Sequence, residues 1–310
     1  MLMDATISFP NLGIEIEKLN KFVTVFGYDI AYYGIIIGIG MIIALAIVMR
    51  EARITGQSEE DYIDYAIVVL LLAVIGARLY YVIFSFDSYK DNLKDIFNIR
   101  EGGLAIYGGI IGGAIGIAIV SLIKRINFLK VADSAVLGLV IGQAIGRWGN
   151  FVNREAYGGN TDSLFAMKID TWDAGIIAQE GVEYMDGLNR YIQVHPTFLY
   201  ESAWNVALFI ILMLFRKRKI YHGEVMLWYL CGYGIGRTII EGMRTDQLII
   251  GNTGIPVSQA LSAILAVVAG ILIIVFRIKW RGKTPVWGDD KLKLHTVEPE
   301  TEEKTGKVED

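Results

Sequence analysis

Apolar stretches of about twenty residues recur along this chain, and short polar segments separate them. A stretch of that length can form a helix that crosses the roughly 30 Å hydrocarbon core of a bilayer. The pattern predicts about seven membrane-spanning helices, at residues 30–49, 65–86, 104–123, 131–149, 197–215, 223–243 and 256–276. The predicted fold class is therefore an all-α polytopic membrane protein.

Less hydrophobic segments flank or interrupt the predicted membrane domain, residues 30–283. Residues 1–29 mix apolar and charged positions, which favours an N-terminal arm along the outer membrane interface. Residues 150–196 form the longest loop, and their short alternating pieces predict a small outer-side cap of mixed short elements. Residues 284–310 are rich in charge and poor in aromatics, which predicts a disordered cytoplasmic tail.

The distribution of lysine and arginine predicts the orientation, because cytoplasmic loops of membrane proteins carry an excess of both. Alternate loops of this chain are basic. Their basic residues are Arg50 and Arg53; Lys124, Arg125 and Lys130; Arg216, Lys217, Arg218 and Lys219; and Arg277, Lys279, Arg281 and Lys283. The N-terminus is then outside and the C-terminus cytoplasmic, as an odd number of spans requires.

The composition restricts the class of function. Hydrophobic residues make up 54% of the chain and charged residues 20%, whereas soluble domains carry about 25% charged residues. The net charge of −4 gives no indication of a nucleic-acid partner. Cys231 is the single cysteine, which excludes an intramolecular disulfide, and the three histidines argue against a histidine-rich metal site.

Arg147 and Asn150 lie three residues apart at the predicted outer end of the fourth span, so they share a helix face. The planar guanidinium of an arginine can hold a phosphate through two parallel hydrogen bonds. A second interpretation is structural: Arg147 extends to the interface while the nearby asparagines cap the helix end. This stretch in isolation leaves both interpretations open.

Arg237, Glu241 and Arg244 fall at i, i+4 and i+7 at the end of the sixth span, which is a single helical face. Charged side chains inside a membrane are costly and often mark functional sites. Two arginines around one glutamate predict a net positive site that suits an anionic headgroup. The alternative is a structural ion pair that fixes the position of the helix.

Aromatic and imidazole side chains occur at the same predicted face. His195 precedes a proline that suits the first turn of the fifth span, and Tyr33 and Tyr107 lie at the starts of the first and third spans. Each is also consistent with an ordinary interfacial residue. All of these polar groups lie at the outer ends of their spans, which predicts a site for an anionic amphiphile from the outer leaflet.

The most specific motif is the pattern Gly-Arg-x-Gly-Asn-Phe-x-Asn-x-Glu at residues 146–155, followed by Gly158. Residues 195–201 and 237–244 form two further blocks of the same kind. With these motifs the chain resembles the prolipoprotein diacylglyceryl transferase family, and the resemblance extends over about residues 32–277.

The resemblance implies an enzyme that transfers the diacylglyceryl group of phosphatidylglycerol to the lipobox cysteine thiol of a prolipoprotein signal peptide. A thioether forms and glycerol 1-phosphate is released, in the bacterial cytoplasmic (inner) membrane, with no metal or other cofactor implied. The implied catalytic residues are Arg147, Arg237, Tyr107 and His195. The implied phosphatidylglycerol-binding residues are Tyr33, Arg147, Asn150, Asn153, Glu155, Gly158, Arg237, Glu241 and Arg244.

The general base is open at this point. Many relatives carry a histidine in the third-span motif, where this chain has Tyr107. A tyrosine titrates near pH 10, so it is a poor base at neutral pH. Either an adjacent arginine lowers the pKa of Tyr107, or His195 serves as the base, or the reaction needs no discrete base.

Other classes of membrane protein fit the sequence less well. A secondary transporter often shows repeated halves and a midplane site, and neither is visible here. The serine motif of an intramembrane protease and the acidic motif of a metal-dependent phospholipid synthase are both missing. A structural scaffold would not need Arg147, Arg237 and Arg244 near the bilayer.

Overall fold

The computed structural model describes residues 5–90, 92–98, 102–174, 176–179, 181–251 and 253–288. In these ranges the chain forms seven long α-helices and one short one. The helices are α1 (Tyr32–Thr55), α2 (Glu59–Phe84), α3 (Ile106–Lys124), α4 (Phe128–Asn153), α5 (Thr171–Ala174), α6 (Thr197–Phe215), α7 (Glu224–Glu241) and α8 (Val257–Lys279). The strands are β1 (Ala5–Phe9), β2 (Ile14–Leu19), β3 (Phe22–Val25), β4 (Tyr28–Ala31), β5 (Met167–Asp170) and β6 (Tyr191–Val194).

Six of the long helices are long and apolar enough to cross a membrane, so the protein is a multi-pass membrane protein. The six are α1, α2, α3, α4, α6 and α8. The seventh long helix, α7, has only 18 residues, and these include Glu224, Arg237 and Glu241. Predicted membrane helices are therefore confirmed at six places, and the seventh span stays a prediction.

The neighbouring helices α1 and α2 are both longer than predicted, and both extend into the turn that connects them. α1 continues to Thr55, beyond the expected end near residue 49, because Glu51 is buried and pairs with Arg216. α2 begins at Glu59, before the expected start near residue 65, because the Ser58 hydroxyl caps its first turn. A helix can therefore continue past the end of an apolar run when the charged residue that follows the run has an ion-pair partner.

Glycines set how closely the helices pack. α2 packs mainly on α3, and α1 packs mainly on α4. A Cβ added at Gly108 would overlap the carbonyl oxygen of Gly76, and one added at Gly138 would lie 2.6 Å from the carbonyl oxygen of Ala44. The four-residue glycine spacing in α3 and α4 thus permits close helix contact, as expected for small residues at a membrane-helix interface.

A four-stranded sheet covers one end of the bundle, with strand order β2-β1-β5-β6. β1 pairs antiparallel with β5, where Ile7 lies opposite Ile169. The cap expected from residues 150–196 therefore shares its sheet with the N-terminal segment. Ile7 is fully buried in the same cluster as Phe151 of α4 and Val194, which explains why β1 joins the cap sheet.

The β3–β4 hairpin forms a separate two-stranded sheet before α1. Phe26, at its turn, is 97% exposed, and Tyr28 beside it is also exposed. The expected interfacial arm therefore remains a prediction for this hairpin.

We call the helix ends beside the two sheets the cap face, and the opposite ends the basic face.

Buried ion pairs join the helix ends at the basic face. Lys219 donates to Asp133 over 3.0 Å, and Arg277 donates to the fully buried Glu224 over 2.5 Å. The indole N–H of Trp287 donates to Glu51 over 2.9 Å. The first residues of the expected disordered tail, 284–288, thus pack on the bundle, and residues 289–310 lie outside the described part of the chain.

Candidate active site

Two arginines from different helices meet on one buried carboxylate at the cap face. Arg147 of α4 donates through Nη2 to Oε2 of Glu201 over 2.6 Å, and Arg237 of α7 donates through Nη1 to Oε1 over 2.9 Å. Arg244, just after α7, lies 3.8 Å from the same carboxylate. Glu201 lies in the second turn of α6, so one side chain joins α4, α6 and α7.

Glu241 supplies a second carboxylate to this cluster. Nη2 of Arg237 lies 2.5 Å from its Oε2, and Nε of Arg244 lies 3.9 Å away. The Ser258 hydroxyl of α8 donates to the other oxygen of Glu241. Side-chain exposure is 4–5% for Glu201 and Glu241, against 12–20% for the three arginines, so the arginines form the accessible surface of the cluster.

The charges of the cluster are balanced, which corrects one expectation. Two arginines around Glu241 predict a net positive site, but Arg147 and two more carboxylates belong to it. Arg244 donates through Nε and Nη2 to both oxygens of Asp246, over 2.9 and 2.7 Å. A guanidinium has five N–H donors, so these pairs leave donors available for a bound anion.

Asn150 and Asn153 are positioned by the residue that follows the helix. Their side-chain amides donate to one oxygen of Glu155, over 2.9 and 3.3 Å respectively. Arg154 ends α4 with φ +56°, which turns the Glu155 N–H back onto the Asn150 carbonyl. The two amides therefore bind Glu155 and do not cap the helix end. The Arg147 side chain points to Glu201 and does not extend to the membrane interface, so the structural interpretation of this stretch does not describe the site.

Gly158 lies where the cap meets the end of α7. A Cβ added there would lie 2.7 Å from the Met243 carbonyl oxygen and 2.9 Å from Cβ of His195. The Gly158 backbone also forms a bridge with Arg244. Gly158 thus permits a close approach that sets the positions of Arg244 and His195.

His195 lies between the cap and the start of α6. Its main-chain N–H donates to the Gly159 carbonyl over 3.0 Å, and its Nδ1 lies 3.2 Å from the Tyr200 hydroxyl. Burial lowers the pKa of the imidazole below its ordinary value. His195 is therefore neutral at pH 7 and can accept a proton.

The two candidate tyrosines lie in different places. Tyr33, in the first turn of α1, packs its ring on Gly149, where an added Cβ would lie 2.6 Å from a ring carbon. This contact puts Tyr33 beside the α4 turn that carries Arg147. Tyr107 lies in α3 and contacts Tyr80 of α2, with ring centroids 6.3 Å apart. Within the described part of the chain, the ring contact of Tyr107 is with Tyr80 and not with a member of the arginine cluster.

Some functional residues are missed by sequence reasoning. Glu201 stands inside a recognised motif, and a buried glutamate one turn into an apolar helix signals a cationic partner, but its place between Arg147 and Arg237 is not predictable. Arg78 of α2 donates to five main-chain carbonyls before α3 over 2.6–3.0 Å. Arg78 therefore fixes the turn from which the Tyr107 helix starts.

Comparison with known proteins agrees with this arrangement. A sequence model of the family described as prolipoprotein diacylglyceryl transferase matches residues 21–276. The chain is 43% identical over 256 residues to the phosphatidylglycerol–prolipoprotein diacylglyceryl transferase of Clostridioides difficile strain 630, covering 83% of this chain and 94% of that protein. Proteins of the same name from Listeria innocua and Finegoldia magna are 44% identical over 264 residues and 40% identical over 269 residues.

The coverage of these relatives is broad. The match covers 85% of this chain and 91% of the Listeria innocua protein, and 86% of this chain and 98% of the Finegoldia magna protein. The matched region contains six of the long helices in full, α8 up to residue 276, and every member of the arginine cluster. The chain therefore belongs to the prolipoprotein diacylglyceryl transferase family.

Proposed function

We propose that this protein transfers the diacylglyceryl group of phosphatidylglycerol to the lipobox cysteine of a prolipoprotein signal peptide. The observation that carries the proposal is the pair Arg147 and Arg237, held by the buried Glu201 at one face of a membrane bundle. Partly exposed guanidinium groups at headgroup depth are better suited to binding a phosphodiester than to lining a transport pathway. Membership of a transferase family supports the same conclusion.

The chemistry is a single substitution at carbon. The cysteine thiol loses its proton and its sulfur attacks the glycerol carbon of the diacylglyceryl unit that carries the phosphate ester. A carbon–sulfur bond forms, the carbon–oxygen bond to phosphate breaks, and the electron pair leaves with glycerol 1-phosphate. The protein must therefore hold the phosphodiester, stabilise the leaving phosphate and accept the thiol proton.

The arginines provide for the phosphate. We assign Arg147 and Asn150 to holding the headgroup, and Arg237 to the charge that develops on the leaving oxygen. Glu241 orients Arg237 over 2.5 Å, and Glu155 orients the Asn150 amide over 2.9 Å. These groups are fixed before substrate binds, which lowers the cost of reorganisation in the transition state.

Other residues support this arrangement. Tyr33 lines the headgroup pocket from α1, where it packs on Gly149. Arg244, Asn153 and Gly158 position the α4 and α7 ends through the contacts described above.

Two residues stand as candidates for accepting the thiol proton. His195 is neutral at pH 7 because burial lowers its pKa, so it is in the state that a base requires. The described ring contact of Tyr107 is with Tyr80 rather than with an arginine. We therefore favour His195 as the base.

We further propose seven membrane spans in the bacterial cytoplasmic membrane, with α7 as the seventh. The charges of α7 lie near its ends, so residues 225–236 leave an uncharged centre. The cap face is then outer, with the N-terminus outside, and the basic face is cytoplasmic. The lysines and arginines at the basic face support that orientation.

The test uses purified protein with phosphatidylglycerol and a lipobox peptide. We expect glycerol phosphate release together with a mass increase of the peptide, both abolished when the peptide cysteine is replaced by serine. Release that does not need the cysteine would indicate a phospholipase instead. Folded protein that gives neither release nor mass change would overturn the proposed transfer.

A further inference from the structure

The segment between β2 and β3 crosses the end of α4 at the cap face. The main-chain carbonyl of Leu19 accepts a hydrogen bond from the guanidinium of Arg154, the residue that ends α4. The carbonyl of Lys21 accepts from the N–H of Tyr32 over 2.9 Å, where α1 begins. The first turn of α1 packs in its turn on the part of α4 that carries Arg147. Lys21 is therefore held between the start of α1 and the end of α4, beside the candidate headgroup pocket.

Two charged side chains at the end of α4 act on the Lys21 ammonium. Burial and the Arg154 guanidinium lower the pKa of Lys21, and the Glu155 carboxylate opposes that shift. Arg154 is buried and donates to the main-chain carbonyls of Leu19 and Val152, so its charge is not accessible to a ligand. Lys21 is half-buried and Glu155 is exposed. A bound headgroup therefore meets the charges of Lys21 and Glu155 at this edge of the pocket.

Without a cation beside it, Glu155 would give this edge the wrong charge for an anionic lipid. Its Oε1 accepts the side-chain amides of Asn150 and Asn153, over 2.9 and 3.3 Å, so the carboxylate lies next to the amide assigned to the headgroup. The arginines of the cluster are already balanced by carboxylates of their own. An exposed carboxylate beside a phosphate site attracts a headgroup that carries an ammonium and repels a net anion.

We propose that Lys21 determines the headgroup specificity of the site. Its ammonium offsets the charge of Glu155, so the pocket favours the anionic phosphodiester of phosphatidylglycerol and disfavours a headgroup with an ammonium of its own. This inference rests on the proposed function and deepens it, because the donor is taken to be phosphatidylglycerol. Lys21 acts here in binding and takes no part in making or breaking bonds.

The side chain of Lys21 can be replaced without loss of its main-chain contact. The bond to Tyr32 is made by the carbonyl of Lys21, which every residue type provides. Phe22, the next residue, pairs with Ala31 in the β3–β4 hairpin, and that pairing is also between main chains. We therefore expect Lys21→Gln to keep the hairpin in place and to remove only the charge.

The test is a competition experiment without peptide. Purified protein binds phosphatidylglycerol that carries a fluorophore on one acyl chain, and unlabelled phosphatidylglycerol or phosphatidylethanolamine displaces it. The signal of the site is the part that Arg147→Gln removes. Lys21→Gln should weaken displacement by phosphatidylglycerol about fivefold, since one cation near an anionic headgroup contributes about 1 kcal/mol. The same variant should strengthen displacement by phosphatidylethanolamine by about the same factor, because a like charge is removed.

Two further variants serve as controls. Lys21→Arg keeps the positive charge and should keep the wild-type preference. Lys18→Gln removes an exposed lysine of β2, three residues earlier, and should leave displacement by both lipids unchanged. Equal weakening of both lipids by Lys21→Gln would show that the side chain has only a structural role. That result, or no change for either lipid, would overturn the proposal.

Protection of lysines from an amine-reactive ester gives a second measurement, on the unaltered protein. Phosphatidylglycerol should slow the modification of Lys21, whereas phosphatidylcholine, which has a quaternary ammonium, should not. Neither lipid should slow the modification of Lys18. Equal protection of Lys21 by both lipids would overturn its role in specificity.

The outcomes separate this proposal from the proposed transfer, because no peptide is present in either experiment. Protein that binds phosphatidylglycerol with the expected preference and releases no glycerol phosphate would overturn the transfer but keep the role of Lys21. Protein without any binding signal that depends on Arg147 would overturn the headgroup site and the role of Lys21 together.

Discussion

At the scale of single residues, the guanidinium groups of Arg147 and Arg237 carry the proposed chemistry. Arg147→Lys keeps a positive charge but loses the planar fork, so we expect transfer to fall about a hundredfold or more. Glycerol phosphate release at saturating peptide measures this loss. Arg190→Lys is the matched control, since Arg190 pairs with Asp170 in the cap over 2.5 Å. An Arg147→Lys enzyme as active as that control would remove Arg147 from the site.

The carboxylate between the arginines is also open to test. Glu201→Gln leaves two partly buried guanidinium groups without their counter-ion, and breaking a buried pair in this way costs about 3–5 kcal/mol. We expect a clear fall in the thermal unfolding temperature of the detergent-solubilised protein. Glu60→Gln, at an exposed position of α2, should have little effect. Equal unfolding temperatures for the two variants would contradict the central role of Glu201.

His195 predicts a pH dependence with a definite sign. Its folded-state pKa lies below the ordinary value of about 6.5, so the unfolded chain binds more protons between those two values. Its contribution to stability is complete above about pH 6.5 and is lost as the pH falls through the folded-state pKa. Transfer should fall over the same range, because protonation removes the base.

His195→Gln should lower the transfer rate about a hundredfold or more and remove this acid limb, as a pH–rate profile would show. His222→Gln at the basic face should keep the limb. A large loss of transfer rate in Tyr107→Phe, together with an acid limb that persists in His195→Gln, would assign the base to Tyr107 instead.

At the scale of elements, helix contact depends on single glycines. Gly108→Ala places a methyl group on the Gly76 carbonyl, so α2 and α3 must separate, and we expect a loss of about 1–3 kcal/mol in the free energy of unfolding. Gly109→Ala meets only ordinary contacts, the nearest at 3.6 Å, and should be neutral. Thermal unfolding of the two variants makes the comparison. Equal effects would show that the contact is not close in solution.

The sequence predicts elements better than it predicts their junctions. The apolar runs of α1–α4, α6 and α8 locate those helices, because membrane hydrophobicity dominates the signal. The site motifs likewise place Arg147, Arg237 and Glu241 at helix ends. The meeting of Arg147 with Glu201 is not readable, because it depends on how α4 packs on α6. The place of β1 in the cap sheet is missed because β5, its partner on one edge, lies far along the chain.

At the scale of the whole molecule, the proposed orientation has a direct test. In a Cys231→Ser background, Glu183→Cys places a thiol on the cap and Lys283→Cys places one at the basic face, both at exposed positions. A membrane-impermeant maleimide should label the cap thiol in spheroplasts and the other thiol only after permeabilisation. The reverse pattern would invert the topology and place the arginine cluster at the inner surface.

The shared sheet also sets the order in which the protein can be completed during synthesis. β1 is made first, yet its partner β5 follows α1–α4 in the chain. β1 can pair at once with β2, but the ribosome must deliver four long helices before β1 can pair with β5, so one edge of β1 waits with unpaired main-chain groups. The four-stranded cap sheet is consequently completed late in folding, so a chain halted after α4 would hold Arg147 without β5 and β6.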